Sequence, residues 1–281
     1  LKHQYVMTDR EILVGVDFSN ASLSALRISV DIANRTNANI KMLWVETAEK
    51  DPQEAEAILN DFCATFKRIL GDKEISYIIT KGRKIYNAIT KIINQEKPFL
   101  VVIGTNGNSG FDERYAGANA YKTIADSKVP VLTIRENFNF NKPLEHLILP
   151  IDSTEETRQK VPWTVNFARM FPNITIHILG LQTTNSHITK GIVMGYVESV
   201  AELLNKKGIK YTTELRDADN VTMTTLDYAK EIDADLVVIM TEQEKTLSNL
   251  LFLGPYAQQM VNLSPYPVLT IPSKQVGGYS I

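Results

Sequence analysis

The sequence predicts an α/β fold of two tandem doubly wound domains, each with a five-stranded, mostly parallel sheet and helices on both faces. Three observations carry this prediction. Apolar runs of strand length alternate with longer amphipathic segments along the chain. Each half opens on an apolar run that ends in aspartate, at Asp17 and at Asp152. Each half also closes alike, because Pro-Val-Leu-Thr-Ile occurs at residues 130–134 and again at 267–271.

The chain begins as a strand–helix–strand–helix series. Residues 12–16 form a nearly continuous apolar run, which is typical of a parallel strand buried on both faces. Ser19 supplies a cap for the helix that follows. A second strand is predicted at residues 40–45. Pro52 then suits the first turn of a long helix, which ends near Gly71.

The rest of the first half continues this alternation and adds a glycine-rich loop after its fourth strand. We predict strands at residues 75–80, 99–103 and 131–134, helices at 86–96 and 117–126, and the glycine-rich loop at 104–110. Pro98 ends the third helix. Because sheets of this kind bind ligands beyond the carboxyl ends of their strands, the residues that follow each strand are the candidates for a site.

The second half repeats the same order of elements. Its strands are predicted near residues 146–151, 174–181, 210–216, 235–241 and 268–271, and its helices near 155–170, 190–206, 220–232 and 253–263. A short polar linker with one proline, residues 136–144, joins the halves. We therefore place the two domains at residues 1–140 and 141–281, each of ordinary domain size.

Composition argues against several classes of function. The 281 residues are 44% hydrophobic and 22% charged, and their net charge of −2 is not basic enough for non-specific nucleic-acid binding. No run of about 18 apolar residues predicts a membrane span, and no secretory signal pattern is visible. Cys63 is the single cysteine, so an internal disulfide is impossible, which fits the reducing cytoplasm.

The loop after the fourth strand is the clearest candidate for a ligand site. Gly104 and Gly107 follow the strand, and Gly117 opens the next helix. Glycines let backbone N–H groups approach an anion, and a helix N-terminus adds free N–H groups and a positive dipole end. The loop therefore suits a polyphosphate, although a tight strand-to-helix turn explains the same glycines. The dinucleotide-binding and Walker-type glycine motifs are both absent.

Both halves resemble universal stress protein domains. Nucleotide-binding members of that family carry an aspartate after the first strand, Gly-x2-Gly-x9-Gly-(Ser/Thr) after the fourth, and a closing strand of Pro-Val-hydrophobic type. The positions of this chain that match the family pattern are Asp17, Val45, Gly82, Gly104, Gly107 and Gly117. The resemblance covers about residues 11–135 and 145–273.

The resemblance implies a cytoplasmic α/β protein of the stress response, some of whose relatives bind ATP. It implies that Val45 makes a backbone contact to adenine and that the loop glycines hold the phosphates, with Mg²⁺ as an accompanying ion. It also implies that the two halves pair through their fifth strands as an internal pseudo-dimer. Homo-oligomers and a protein partner remain open.

The two loops depart from the family pattern to different extents. In the first half, Ala118 replaces the hydroxyl residue expected to reach a phosphate, which weakens binding by about 1–3 kcal/mol. Asn119 is a candidate to compensate in part. In the second half, Met240-Thr241-Glu242-Gln243 replaces the first glycines, and Pro255, which has no N–H, follows Gly254. We therefore expect one nucleotide site, in the first half, and a degenerate second site.

Little else in the sequence indicates chemistry. The four histidines, at positions 3, 146, 177 and 187, lack metal-ligand spacing and are interpreted as surface or capping residues. Asp17 suits either a nucleotide role, at Mg²⁺ or a ribose hydroxyl, or the capping of the next helix, and capping is favoured for Asp152. Residues 183–196 begin polar and turn apolar, which fits a surface loop running into a helix or a partner surface.

Three functions fit these observations. A tandem stress-response module that binds ATP or another adenine nucleotide in its first half is the leading hypothesis. A protein-interaction scaffold that binds no nucleotide is the main alternative, since Ala118 and the second loop permit it. A slow ATP hydrolase needs a base that positions water, and the sequence offers no clear candidate. A binding module is therefore favoured over an enzyme.

Overall fold

The fold is taken from a computed structural model, which describes residues 10–48, 50–105, 117–136, 138, 142–241, 243–245, 251–253 and 255–273. The elements of the first half are β1 (Glu11–Gly15), α1 (Asn20–Thr36), β2 (Asn39–Glu46), α2 (Pro52–Leu70), β3 (Ile75–Lys81), α3 (Ile85–Glu96), β4 (Leu100–Thr105), α4 (Gly117–Asp126) and β5 (Val131–Arg135). Those of the second half are β6 (His146–Ile151), a 3₁₀ turn (Glu156–Arg158), α5 (Val161–Ala168), β7 (Thr175–Gln182), α6 (His187–Lys206), β8 (Lys210–Asp217), α7 (Val221–Glu231), β9 (Leu236–Thr241), β10 (Gln243–Lys245), β11 (Leu251–Leu253), α8 (Pro255–Leu263) and β12 (Val268–Pro272).

One continuous sheet of ten strands runs through both halves, in the order β3-β2-β1-β4-β5-β12-β9-β6-β7-β8. The strands that pair within each half are parallel. Helices α1, α2, α5 and α6 pack on one face, and α3, α4, α7 and α8 pack on the other. The predicted tandem doubly wound fold is therefore confirmed. A separate antiparallel hairpin of β10 and β11, which the sequence did not predict, follows β9.

Burial on both faces explains why the strands are nearly continuous apolar runs. Ile12 and Val14 face α1 and α2, whereas Leu13 between them faces the opposite layer, and all three are fully buried. Side-chain caps begin several of the helices. Ser19, Asp51, Ser186 and Asn220 each accept a hydrogen bond from a backbone N–H group in the first turn that follows.

The two halves meet where β5 pairs with β12 in antiparallel fashion, with Leu132 opposite Leu269. Two buried hydroxyls cross this junction symmetrically. Thr133 Oγ1 donates to the carbonyl oxygen of Val268 at 3.2 Å, and Thr270 Oγ1 donates to that of Val131 at 3.0 Å. The predicted pairing through the fifth strands, as an internal pseudo-dimer, is therefore confirmed.

Helix α6 contains most of the segment 183–196, for which the sequence left a loop or a partner surface open. The Ser186 hydroxyl caps the helix, which begins at His187, so the polar residues before it form only a short connection. Ile188 and Met194 are exposed on the helix surface. Among the described residues, no helix combines the length and the hydropathy that crossing a membrane requires.

Candidate functional site

A cavity of about 480 Å³ opens at the carboxyl ends of β1, β2 and β4 in the first half. Strands β1 and β4 are neighbours, but the chain continues from β1 to β2 on one side and from β4 to β5 on the other. This is a topological switch point, where doubly wound sheets bind their ligands. The volume lies within the usual range for small-molecule sites.

The cavity wall is mostly apolar and carries few polar side chains. Its polar side chains are those of Asp17, Ser22, Thr47 and Lys50, and its larger apolar side chains are those of Val16, Phe18, Leu43, Trp44, Val45, Ile85, Ile89 and Ile103. Three of the residues singled out from the sequence, Asp17, Val45 and Gly104, lie in this wall. A flat apolar group bordered by a few hydrogen-bonding groups is the ligand type that such a wall accommodates.

Asp17 takes part in the turn between β1 and α1. Its Oδ1 accepts hydrogen bonds from the Ser19 backbone N–H at 3.0 Å and from the Ser19 hydroxyl at 2.6 Å. Ser19 in turn caps α1 by accepting from the Ser22 N–H at 3.2 Å. Asp152 repeats the arrangement on Thr154, at 2.8 and 2.6 Å. Supporting the turn is therefore a role that both aspartates share, and any ligand role of Asp17 is additional to it.

Gly104 allows the start of α1 to approach β4 closely. A Cβ at this position would lie 2.3 Å from the Ala21 carbonyl carbon and 2.5 Å from the Ser22 nitrogen. Only glycine permits such an approach, and the approach brings Ser22 into the cavity wall. The glycine is thus required for packing, whether or not it also contacts a ligand.

Gly82 does not line the cavity but allows α3, which does, to pack closely. A Cβ here would lie 2.8 Å from the Cβ of Ala88 on α3. Its absence lets α3 pack close to the end of β3, and α3 carries Ile85 and Ile89 into the cavity. A contact between Gly82 and a nucleotide remains a prediction.

Lys50 is a lining residue that the sequence analysis missed, and among the described wall residues it is the one with a positive charge. Its Nζ lies 2.9 Å from Glu54 Oε1 and 5.3 Å from the centroid of the Phe18 ring. Phe18 also lines the cavity, with a φ of 66°, which non-glycine residues rarely adopt. In the sequence, Lys50 lies between the end of a strand and the Asp51 helix cap, which is where lining residues are expected. The direction in which its side chain points depends on packing, so the sequence does not reveal it.

Helix α4 begins at Gly117, so its first turn contains Ala118 and Asn119, and Ala120 reaches the cavity wall. The N–H groups and positive dipole end of a helix start favour anions. The side chains of Ala118 and Asn119 lie outside the described residues, as does Gly107 entirely. Their contacts to phosphate therefore remain predictions.

The second half differs at the position of Gly104. The register of β9 on β6 and of β4 on β1 places Met240 there, and Met240 is buried. Its side chain needs the space into which α1 packs in the first half. The predicted helix at 155–170 is also broken: Glu156–Arg158 forms a 3₁₀ turn, and α5 begins only at Val161. The expectation of one unbroken helix was wrong because Pro162, which has no N–H group and clashes with a preceding helical turn, suits only the first turn of a helix.

A buried lysine accompanies this change. Lys160 Nζ donates to the Thr157 carbonyl oxygen at 2.6 Å and lies 3.2 Å from the Thr157 hydroxyl oxygen. Burial lowers the pKa of Lys160 to about 8, and the charge of Asp152 acts against this shift. β9 is followed by the antiparallel pair β10 and β11.

No metal-binding cluster of three or more His, Cys, Asp or Glu side chains occurs in the part of the chain that the structure describes. The fold is that of a tandem α/β protein with a cavity at the switch point of its first half. The sequence model of the Universal stress protein family matches residues 9–135 and 143–272. The chain belongs to this family.

Solved structures share this fold along nearly the whole chain. A universal stress protein from Archaeoglobus fulgidus DSM 4304 superposes with a TM-score of 0.76 at 17% identity, covering 93% of this chain and 98% of that one. A putative universal stress protein from Pseudomonas aeruginosa UCBPP-PA14 gives 0.69 at 18%, over 95% and 94%. The cytoplasmic domain of a prokaryotic cation chloride cotransporter gives 0.57 at 11%, over 94% and 95%. No curated protein matches the sequence. These identities establish the fold alone.

Proposed function

We propose that the chain is a cytoplasmic stress-response module that binds one adenine nucleotide in its first half. The observation that carries this proposal is the cavity at the switch point, with Asp17, Val45 and Gly104 in its wall and the start of α4 beside it. The apolar wall receives the base. The N-terminus of α4 receives the phosphates.

The polar residues of the wall divide the remaining tasks. Asp17 accepts a ribose hydroxyl or binds Mg²⁺ that accompanies the phosphates, in addition to its bond with Ser19. Lys50 offsets part of the negative charge of the ligand, after its ammonium leaves Glu54. This charge compensates in part for the hydroxyl that Ala118 lacks. We therefore expect a micromolar dissociation constant rather than a nanomolar one.

Calorimetry tests the proposal on the full chain. Titration with ATP and Mg²⁺ is expected to give one site per chain, with competition by ADP and AMP. Absence of binding at millimolar ATP would reject the proposal. Two sites of similar affinity would contradict the assignment to the first half, because Met240 and Lys160 bring side-chain volume into the second.

A scaffold without nucleotide is the second candidate, and one observation favours it. Packing alone accounts for Gly82 and Gly104, so the presence of these glycines does not require a ligand. A melting temperature that stays constant across ATP, ADP, AMP and adenosine would support this candidate. A rise of several degrees with any of them would support the nucleotide site.

A further inference from the structure

At the amino ends of β1 and β2, a cluster of ion pairs joins two strands and a helix. Lys41 Nζ lies 2.8 Å from Glu11 Oε2 and 2.5 Å from Glu96 Oε2. Glu11 opens β1, Lys41 lies near the start of β2, and Glu96 ends α3. Model carboxyl and ammonium groups titrate outside the range between pH 5 and 8 in which a free imidazole does.

The same sheet positions in the second half hold histidines. The register of β2 on β1 and of β7 on β6 shows that His177 occupies the position of Lys41. His146, the first residue of β6, occupies that of Glu11. A pair of opposite charges in one half therefore corresponds to a pair of identical weak bases in the other.

The two imidazoles begin a hydrogen-bonded chain across three strands. His146 Nδ1 lies 3.0 Å from His177 Nε2, and His177 Nδ1 lies 2.8 Å from Thr212 Oγ1 on β8. The surface role expected for these histidines is wrong for His177, which is only 7% exposed. A bond between two ring nitrogens needs one N–H and one lone pair. Once both rings are protonated, two N–H groups face each other and the bond is lost.

The acidic group nearest the pair already has partners. Asp235 accepts from the backbone N–H groups of Glu145 and His146 through Oδ2, at 2.9 and 2.8 Å. Its Oδ1 lies 3.0 Å from Lys142 Nζ, which also pairs with Asp233. This carboxylate therefore gives little further support to a second imidazolium.

The opposite side of the pair is formed by β8 and α7. Tyr228 meets the His177 ring edge-on, with centroids 6.4 Å apart, and the Arg216 guanidinium lies 4.7 Å from the Tyr228 ring centroid. Arg216 is itself paired with Glu214 and Glu231. Burial, and secondarily His146, lower the pKa of His177 to about 4, against a smaller opposite effect of Asp235.

We propose that His146, His177 and Thr212 form an acid-sensitive latch, which holds the edge strand β8 to the sheet near neutral pH and releases it in mild acid. In the ten-stranded sheet β8 is terminal and pairs with β7. His177 binds its proton near pH 4 when folded and near 6.5 when exposed. The released state therefore binds more protons across this window, and falling pH favours release. The proposal rests on the sheet and not on the nucleotide site.

Hydrogen–deuterium exchange at pH 7.5 and 5.0, scaled for intrinsic rates, tests the latch. In the wild-type chain we expect the opening of β8 to become roughly 10- to 30-fold more frequent at the lower pH. The terminal strand of the first half, β3, serves as the internal control and is expected to change little. The matched variant is H146E/H177K, which installs the residues of the first half and is expected to remove the acid response of β8.

Equal responses of β3 and β8, or an acid response that persists in H146E/H177K, would overturn the proposal. If that variant does not fold, proton NMR of the wild-type histidines decides instead. The exposed His187 provides the reference titration. A His177 resonance that titrates together with His187 would overturn the latch, whereas one that stays neutral until β8 opens would support it.

Discussion

The regions that follow β4 and β9 hold equivalent places in the two halves, yet the helices that pack above them differ. Near the end of β4, Gly104 admits the first turn of α1, and a cavity of about 480 Å³ remains at the strand ends. Beside β9, Met240 is buried, the corresponding turn is 3₁₀, and Lys160 lies inside the protein. The glycine of the first half permits a close approach of α1 to the sheet, and the equivalent position of the second half holds a buried methionine.

The largest effect is expected from placing the methionine of the second half into the first. G104M puts a Cβ within 2.5 Å of backbone atoms of Ala21 and Ser22, so α1 must move. We expect a loss of about 3 kcal/mol in the free energy of unfolding, and loss of nucleotide binding. Urea denaturation and calorimetry measure these effects. The control is G15A, whose added Cβ finds its nearest neighbour at 3.8 Å, and similar losses in both variants would refute the steric explanation.

A second prediction concerns the buried amine of the second half. Because the pKa of Lys160 is about 8 when folded and near 10.5 when unfolded, the unfolded chain binds more protons between these values. Stability is therefore expected to rise with pH across that window, by about 2–3 kcal/mol from this group. Unfolding of wild type and K160M between pH 7 and 10.5 isolates the contribution. Parallel pH profiles of the two proteins would contradict it.

The junction is the region where the halves are most alike, and its symmetry can be measured. T133V and T270V each remove one buried hydroxyl donor to a strand carbonyl across β5 and β12. We expect each to lower the unfolding free energy by about 1 kcal/mol, and by similar amounts. Thermal and urea unfolding provide the comparison. If the losses of the two variants differ by much more than 1 kcal/mol, the two hydrogen bonds do not contribute equally to stability, although the structure relates them by a pseudo-twofold axis.

An effect of similar size is expected at the cavity. K50M removes the positive charge from the described part of the cavity wall. It should weaken the binding of ATP by about five- to tenfold, near 1 kcal/mol, and leave the affinity for adenosine unchanged. K81M is the matched control, since Lys81 is a mostly exposed lysine paired with Glu46. Equal losses for ATP and adenosine would assign Lys50 to packing on Phe18 instead.

Local patterns were sufficient to predict the sheet. Strands such as β4 and β9 are apolar runs bounded by turn residues, whereas the pairing of the two closing strands was expected only from the family resemblance. Part of the cavity wall was predictable where a strand end determines it, as for Asp17, Val45 and Gly104, whereas their contacts to a ligand stay predictions. These positions follow from strand boundaries, which hydrophobic periodicity reveals.

The remaining features depend on contacts between distant residues. The break before α5 is an exception, because Pro162 in the first turn of that helix is a local signal for it. Lys50 enters the wall because of its packing against Phe18. His177 is buried since its partners His146 and Thr212 lie on neighbouring strands, a relation that only the register supplies.

The antiparallel step between β5 and β12 reverses the polarity of the sheet at its centre. The carboxyl ends of the first-half strands and the amino ends of the second-half strands consequently lie along the same edge. The cavity of the first half and the His146–His177 pair lie along that edge, whereas the carboxyl ends of the second-half strands lie along the opposite one. Two identical subunits in this arrangement would present equivalent edges. In this chain the two sides differ, so a protein that binds along one side of the sheet contacts different residues from a protein that binds along the other.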